Sequence, residues 1–214
     1  MILADRSESS VCPLSVLVDK GRRMRKVVLD DILGLATYEK VRHDSRQRII
    51  ELKQKRRISL GDRVSVVFEN RDTVIFQIHE MLRAERITDL DKIREEIQTY
   101  NELIPEPGEL SATLFLEIED QTHLRDELLK FLGIDKAVFL KIGTHAVPAL
   151  FEAGRSKEDK ISAVQYVRFR FDPQTLQAIV GGERTELVID HEEYKAAAVL
   201  QPETQRSLAE DLTT

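Results

Sequence analysis

The chain has 214 residues, of which 42% are hydrophobic and 33% charged, and its formal net charge is -6. That size and apolar content suit one globular domain with a sizeable core, and no apolar run reaches the roughly 18 residues that a membrane span needs. The single cysteine, Cys12, excludes an intramolecular disulfide framework, a zinc site built on cysteines and a self-contained iron–sulfur cluster, so we predict a cytoplasmic protein.

The first 23 residues differ from the rest of the chain. Acidic and serine residues precede their short apolar patch, and no small-residue cleavage site follows it, so the segment is a poor signal peptide. From Met24 onward the sequence is typical of a cytoplasmic start. We therefore predict that residues 1–23 are a disordered or non-native leader and that residues 24–214 form a single domain.

The pattern of apolar residues predicts alternating helices and strands. In chain order these are a short helix through Ala36 capped by Asp30 or Asp31, a helix over 38–57, a strand over 63–69, a helix capped by Asn70 or Asp72, a helix over 91–104, a strand over 110–119, a helix over 121–133, a hairpin around 143–144, strands over 161–171 and 185–190, and a helix over 202–212. Because short turns join the later strands, the sheet should be mostly antiparallel. The predicted class is α+β, with one sheet flanked by amphipathic helices.

A polar pocket is predicted around the helix that follows strand 63–69. On a helical wheel Glu85 lies about 20° from the centre of the apolar face, whereas Glu80 points away from that face. A buried carboxylate costs several kcal/mol unless it is paired, so an arginine of the long helix should accompany it. The candidate pocket comprises Arg42, Arg46, Glu69, Gln77 and Glu85. The interpretation that we favour over this pocket is that Glu85 lies in the last turn and reaches solvent or forms a structural ion pair.

Strands 110–119 and 161–171 have complementary charges. Glu117 and Glu119 share one face of the first strand, and Tyr166, Arg168 and Arg170 share one face of the second. If the strands are neighbours, carboxylates and guanidinium groups meet across the ladder. Exposed pairs of this kind contribute only about 0–1 kcal/mol each, which is typical of a solvated face. The alternative is an anion or partner surface centred on Tyr166, Arg168 and Arg170.

Motifs for metal, nucleotide or nucleophile chemistry are not found in the sequence. The five histidines are scattered singly, without the spacing of a zinc protease, and His191 with Glu117 is only a weak metal candidate. Glycine-rich phosphate loops and nucleophile elbows are missing as well. We predict no cofactor and name no catalytic residue.

The charge is strongly segregated along the chain. Residues 20–57 contain 13 Lys and Arg against 5 Asp and Glu, whereas residues 58–214 carry a net -12. The basic helix over 40–57 would suit phosphate or nucleic-acid binding, or it could pack on the acidic body of its own chain. Since no nucleic-acid fold signature accompanies it, nucleic-acid binding is not the expected role.

Six blocks of the sequence resemble a bacterial family known only as a domain of unknown function. They are YEKVR (38–42), RRISLGD (56–62), FENRDTVIFQIHEMLRAER (68–86), YNELIP (100–105), LSATLFLEI (110–118) and DHEEY (190–194). The resemblance covers essentially Met24 to the C-terminus. Genes of that family often lie beside those for rubrerythrin and for iron–sulfur oxidoreductases of the heterodisulfide-reductase type, which implies a role in redox or peroxide-stress physiology. It assigns no reaction.

Three functional hypotheses follow. The first is an accessory protein without its own redox cofactor that docks on, or helps to mature, a rubrerythrin-like di-iron or an iron–sulfur partner, because segregated charge suits docking. The second is a small enzyme or ligand-binding module that uses the Glu/Gln/Arg pocket, with or without a metal held by carboxylates and His191. The third is phosphate or nucleic-acid binding through residues 40–57.

Overall fold

The structure is a computed structural model that describes residues 25–119, 122–153, 156–157 and 160–213. The predicted leader, residues 1–23, lies outside these ranges and stays a prediction. The helices are α1 (Leu35–Arg56), α2 (Arg71–Ala84), α3 (Leu90–Asn101), α4 (Leu124–Leu129), α5 (Pro173–Val180) and α6 (Pro202–Leu212). The strands are β1 (Arg57–Leu60), β2 (Val64–Glu69), β3 (Glu109–Leu116), β4 (Val138–Ile142), β5 (His145–Pro148), β6 (Leu150–Phe151), β7 (Ser156–Lys157), β8 (Lys160–Ile161), β9 (Val164–Arg170), β10 (Thr185–Asp190) and β11 (Lys195–Val199).

The strands form two main sheets rather than the single sheet that the sequence predicted. One has five strands in the order β1-β2-β3-β9-β6, and the other has four in the order β11-β10-β4-β5, while β7 and β8 form a small ribbon. Every strand pair that the described residues form is antiparallel. The predicted α+β class with antiparallel pairing is therefore confirmed.

The larger hydrophobic cluster contains residues of both sheets. Phe68, Leu114 and Phe169 come from the five-stranded sheet, and Leu140 and Leu187 come from the four-stranded one. All five are fully buried. Alternate residues of a strand project to opposite faces, so the cluster occupies one face of the five-stranded sheet and leaves the residues in between for the other face.

A second cluster forms around α2, whose predicted apolar face is confirmed. Val74, Ile78 and Leu82 are buried there against Ile97 of α3. Of the two predicted caps, Asn70 and Asp72, the structure has Asn70, whose side chain accepts a hydrogen bond from the Thr73 amide at 3.1 Å. A short polar side chain at this position satisfies the first helical N–H groups. No helix within the described ranges is both long and apolar enough to cross a membrane.

Several element boundaries differ from the sequence prediction. Residues 29–31 form only a single 3-10 turn, and α1 then runs without interruption from Leu35. The predicted end of the long helix differs by a single residue, since Arg57 begins β1, a strand that was not predicted and whose Ile58 and Leu60 are buried. Helix α4 is shorter than predicted, and α5 and β11 were not predicted.

The turn between β1 and β2 requires glycine. Gly61 has φ +67°, a left-handed conformation that is costly for residues with a Cβ. A Cβ at this position would also lie well inside van der Waals contact of the Tyr194 hydroxyl oxygen. That hydroxyl donates to the main-chain oxygen of Leu60 and accepts from the Arg63 amide at 3.2 Å, so Tyr194 connects the turn to the loop between β10 and β11.

Candidate functional site

A row of polar residues crosses the second face of the five-stranded sheet. The strand register places Glu69 of β2 opposite Ser111 of β3, and Ser111 opposite Arg168 of β9. Directly opposite residues project to the same face, so all three side chains lie on the side away from the larger cluster. Two strand spacings separate the Cα atoms of Glu69 and Arg168, roughly 10 Å.

A cavity of about 320 Å³ lies over this row. Glu69, Ser111 and Arg168 form its floor, while Leu103, just after α3, and Leu150 of β6, which lies opposite Arg168, contribute to its walls. Its volume is near the lower end of the roughly 300–1,000 Å³ that small-molecule sites occupy. We call it the sheet cavity.

The acidic end of the sheet cavity is Glu69, whose side chain is only 2% exposed. Its Oε1 accepts a hydrogen bond from the Thr113 hydroxyl at 2.8 Å, and its Oε2 accepts one from the Gln77 amide at 3.1 Å. The Lys53 Nζ lies 4.0 Å from Oε2, beyond hydrogen-bond distance. A carboxylate has about four lone-pair sites, so this buried group retains capacity to accept hydrogen bonds.

The basic end is built from two arginines that share one carboxylate. Glu109 accepts from Arg168 Nη1 at 2.9 Å and from Arg170 Nε at 2.6 Å. Burial raises the pKa of Glu109, but the hydrogen bonds from Arg170 and Arg168 outweigh it, and the pKa is lowered overall. Arg168 also donates to the main-chain oxygen of Glu102. Glu102 and Glu152 line the cavity as well, so further carboxylates accompany the two guanidinium groups in its lining.

The predicted pocket forms only in part. Glu69 and Gln77 are brought together as the pocket hypothesis expected, but its further assumption that Glu85 is buried is wrong. Helix α2 ends at Ala84, and Glu85 is the exposed residue that caps its C-terminus. Arg46 is also exposed on α1. The structure therefore matches the alternative in which Glu85 reaches solvent at the last turn, and the sheet cavity extends toward Arg168 instead.

Arg42 has a different partner from the one predicted. Its Nε and Nη2 donate to the two carboxylate oxygens of Glu80, each at 2.8 Å, and the Tyr38 hydroxyl donates to the same carboxylate at 2.8 Å. Burial and then the bond to Glu80 raise the pKa of Tyr38. Glu80 does point away from the apolar face of α2, but α1 packs there. These contacts with Glu80 therefore join α1 to α2, and Arg42 does not contribute to the predicted pocket around Glu69.

The two charged strands are neighbours as predicted, but the predicted pairing of their charges is wrong. Arg168 and Arg170 bind Glu109 rather than Glu117 or Glu119. Glu117 instead accepts from the Ser65 hydroxyl at 2.5 Å and from Arg57 at 3.2 Å.

The weak metal candidates do not meet. The Nε2 of His191 lies 2.7 Å from the main-chain oxygen of Leu132, and its Nδ1 accepts from the Glu193 amide at 3.2 Å. Main-chain groups therefore occupy both ring nitrogens, as in a structural histidine with Nε2 protonated. Glu117 lines a separate cavity of about 210 Å³. Within the described ranges, no group of three or more His, Cys, Asp or Glu side chains could hold a metal ion.

The basic end of α1 is paired within the chain. Lys55 lies 3.1 Å from Glu203 of α6, and the fully buried Arg56 lies 2.5 Å from Asp211 of the same helix. This matches the alternative in which the basic stretch packs on its own acidic body. Neither partner could be found from local patterns, because α6 lies about 150 residues further along the chain.

Sequence reasoning also missed Glu109, the carboxylate that joins the two arginines. A signal was present, because Glu109 directly precedes a predicted strand and has the same parity as Glu117, which places both on one face. The choice between them depends on strand register, which the sequence pattern leaves open here.

Comparisons with known proteins agree with the resemblance. A protein of unknown function from Burkholderia pseudomallei K96243, with a crystal structure at 1.90 Å resolution, is 34% identical, with a TM-score of 0.83 over 88% of this chain and 100% of that chain. No protein of curated function matches. The family model described as "Protein of unknown function (DUF3501)" matches residues 26–212. The chain therefore belongs to this family, whose function is not established.

Proposed function

We propose that this protein is a small-molecule-binding module whose site is the sheet cavity. The observation that carries the proposal is Glu69, a carboxylate that is 2% exposed, accepts two hydrogen bonds and still lines a cavity. Burying an incompletely satisfied carboxylate is costly. A bound ligand that donates to it offsets that cost, which is why such groups are typical of recognition sites.

The side chains of the cavity support binding rather than a reaction. The Ser111 hydroxyl donates to the main-chain oxygen of Leu103 at 2.5 Å, so it is engaged in holding the chain after α3. Arg168 and Arg170 are charged donors that cannot act as bases. The buried carboxylate of Glu69, the two guanidinium groups, and Glu102 and Glu152, which also line the cavity, give it several polar groups that can orient a polar molecule.

An NMR screen of polar metabolites against the isotope-labelled chain tests the proposal. Ligands should shift the amide signals of Ser111 and Arg168, and their binding should weaken in Arg170→Ala. The matched control is Arg184→Ala, because Arg184 is equally exposed and ion-paired, at 72% exposure, but lies before β10 and outside the cavity. Ligand shifts that map to another surface, or that persist unchanged in Arg170→Ala and Glu69→Gln, would refute the proposal.

A second proposal is the docking role in a redox system that the family resemblance implies. It is supported by three exposed basic residues of α1 that join no ion pair among the described residues, Lys40, Arg46 and Arg48. Such charges steer association with an acidic partner. Co-purification with rubrerythrin-like or iron–sulfur proteins at low salt, lost when all three residues are changed to Glu, is the expected result. Recovery of the protein without such a partner at low salt would count against it.

A further inference from the structure

We infer that the outer edge of β11 is a dimer interface, at which β11 of a second copy of this chain pairs antiparallel to it. The contact joins two four-stranded sheets into one continuous sheet. The sheet cavity, which lies over the five-stranded sheet, takes no part in it. Three features of β11 carry the inference: its open main-chain groups, its unobstructed edge and its self-complementary sequence.

The main-chain groups on the outer edge of β11 are open. Among the described strands β11 pairs with β10 alone, at the end of the order β11-β10-β4-β5. The Leu200 amide donates to the main-chain oxygen of Thr185 at 2.9 Å, and residues that bond to the neighbouring strand alternate with residues that point away from it. Lys195, Ala197 and Val199 therefore direct their N–H and C=O groups outward. An antiparallel strand of another molecule can bond to all three.

The edge of β11 has few of the features that protect exposed strands from pairing. Its sequence, KAAAV, contains no proline, and three of its five side chains are alanines that let another strand approach. Its one lysine, Lys195, stands at the end of the strand and lies 2.8 Å from Asp190 of β10. The opposite edge of the same sheet is β5, where Pro148 occupies a position that points outward and has no N–H group to offer. The sheet is thus protected at β5 and open at β11.

Both ends of β11 are anchored within the chain. Tyr194, just before the strand, donates its hydroxyl to the main-chain oxygen of Leu60, and Leu200, just after it, is buried. Ala196 and Ala198 pack against the larger hydrophobic cluster. The edge is therefore held in its extended form before a partner binds, which lowers the entropic cost of association.

The sequence of β11 is complementary to itself. A two-fold axis at Ala197 places this residue opposite its own copy and Lys195 of each chain opposite Val199 of the other, so that all the outward residues form pairs. Val199 is 46% exposed, and the aliphatic stem of the opposing lysine would cover it. The two lysines lie at opposite ends of the contact, roughly 14 Å apart along the strands, which exceeds the screening length of about 8 Å at physiological salt. Because no like charges meet, this register favours a second copy as the occupant of the edge.

Sedimentation velocity of the full chain over a range of concentrations tests the inference. Pairing along one short edge is small beside the roughly 1,200–2,000 Å² of stable interfaces, so the dimer should dissociate on dilution, with a Kd of roughly 10–100 µM. Ala197→Pro removes the two central N–H donors of the dimer and should weaken association roughly 10-fold or more. The matched control is Ala146→Pro, since Ala146 is an exposed alanine on β5 whose N–H also points outward from this sheet. This control should leave the dimer unchanged.

Cysteine cross-linking tests the register without a change of backbone. Directly opposite residues of a hydrogen-bonded antiparallel pair have Cα atoms about 5.5 Å apart, within the range that a disulfide spans. Ala197→Cys, in a chain that also carries Cys12→Ser, should therefore form a disulfide-linked dimer on mild oxidation. Ala146→Cys in the same background should remain monomeric under the same conditions.

The outcomes are decisive in either direction. A chain that stays monomeric up to roughly 1 mM, ten times the weakest expected Kd, overturns the inference and leaves the edge to a strand of another protein. A dimer that Ala197→Pro does not weaken also overturns it, because the interface then lies elsewhere. If Ala197→Pro fails to fold in thermal melts, the cross-linking decides, and equal yields from the two cysteine variants would refute pairing at β11.

Discussion

The buried ion pair between Arg56 and Asp211 should be essential for stability. Arg56 is fully buried, Asp211 is 2% exposed, and Nη2 lies 2.5 Å from Oδ2. Arg56 also donates to the main-chain oxygens of Phe68 at 2.8 Å and Glu69 at 3.1 Å, and to the Ser207 hydroxyl at 3.0 Å. One guanidinium thus joins the end of α1, the end of β2 and α6. The change we consider is Asp211→Ala, which leaves that charge buried without its carboxylate.

Removing one partner of a buried pair typically costs about 3–5 kcal/mol, because the remaining charge is uncompensated. Arg56 keeps its other hydrogen-bond acceptors in the variant, so we expect a loss near the lower end, about 3 kcal/mol in the free energy of unfolding. The matched control is Asp190→Ala. Asp190 lies 2.8 Å from Lys195, but both side chains are mostly exposed, at 65% and 70%, and an exposed pair should give no measurable loss.

Equilibrium unfolding in urea measures both variants, and an unchanged slope with denaturant shows that the folded and unfolded states remain comparable. Asp211→Asn should lie between the wild type and Asp211→Ala, because an amide oxygen can still accept from Arg56 without balancing its charge. If Asp211→Ala proves as stable as Asp190→Ala, the reasoning fails, and the pair contributes no more than a surface contact.

Two further changes test the α1–α2 region and the first hairpin. Burial lowers the pKa of His79 from its ordinary 6.5 and outweighs the hydrogen bond that Nδ1 donates to the Ile75 main-chain oxygen at 3.0 Å, which raises it. The unprotonated Nε2 accepts from the Leu33 amide at 2.9 Å. The pKa of His79 is lower in the folded state than in the unfolded state. The stability that burying the neutral imidazole contributes is therefore present above pH 6.5 and is lost as pH falls through the folded pKa. Urea unfolding should therefore show wild-type stability falling relative to His79→Gln on acidification, and parallel pH profiles would contradict this. Gly61→Ala should lower the free energy of unfolding by about 1–3 kcal/mol, partly restored by Tyr194→Phe, and an unchanged urea midpoint would show that the turn is not strained.

The elements with strong local signals were predicted well. The strand that ends at Glu69, the cap at Asn70 and the proline that begins α6 all appear where the sequence placed them. Helix α5 was missed although it has such a signal, since Asp172 precedes Pro173 and accepts from the Thr175 amide at 2.9 Å. Strand β11 has a weak sequence signal, because its alanines have low strand propensity. It exists through pairing with β10.

The sequence predicted which charged residues share a strand face, but it did not predict the register between the neighbouring strands. Residues of one parity share a face of a strand, so the sequence correctly placed Arg168 and Arg170 on one face, opposite carboxylates on the neighbouring strand. The carboxylate turned out to be Glu109, eight residues before the expected Glu117. A shift by an even number of residues keeps every side chain on its face. The alternation pattern is therefore equally satisfied by both registers, and only the packing of the strands decides between them.

The stretch 68–80 explains why a single helical wheel misplaced the polar pocket. Phe68 packs in the core between the sheets, Glu69 lies one residue later on the cavity floor, and α2 then buries two faces at once. Its apolar face meets the second cluster, while Glu80 on another face binds Arg42 of α1. A helical wheel that assumes every buried residue to be apolar identifies the first face of α2 but assigns Glu80 to solvent. An arginine on the neighbouring helix makes a charged face suitable for packing, and that information lies outside the stretch itself.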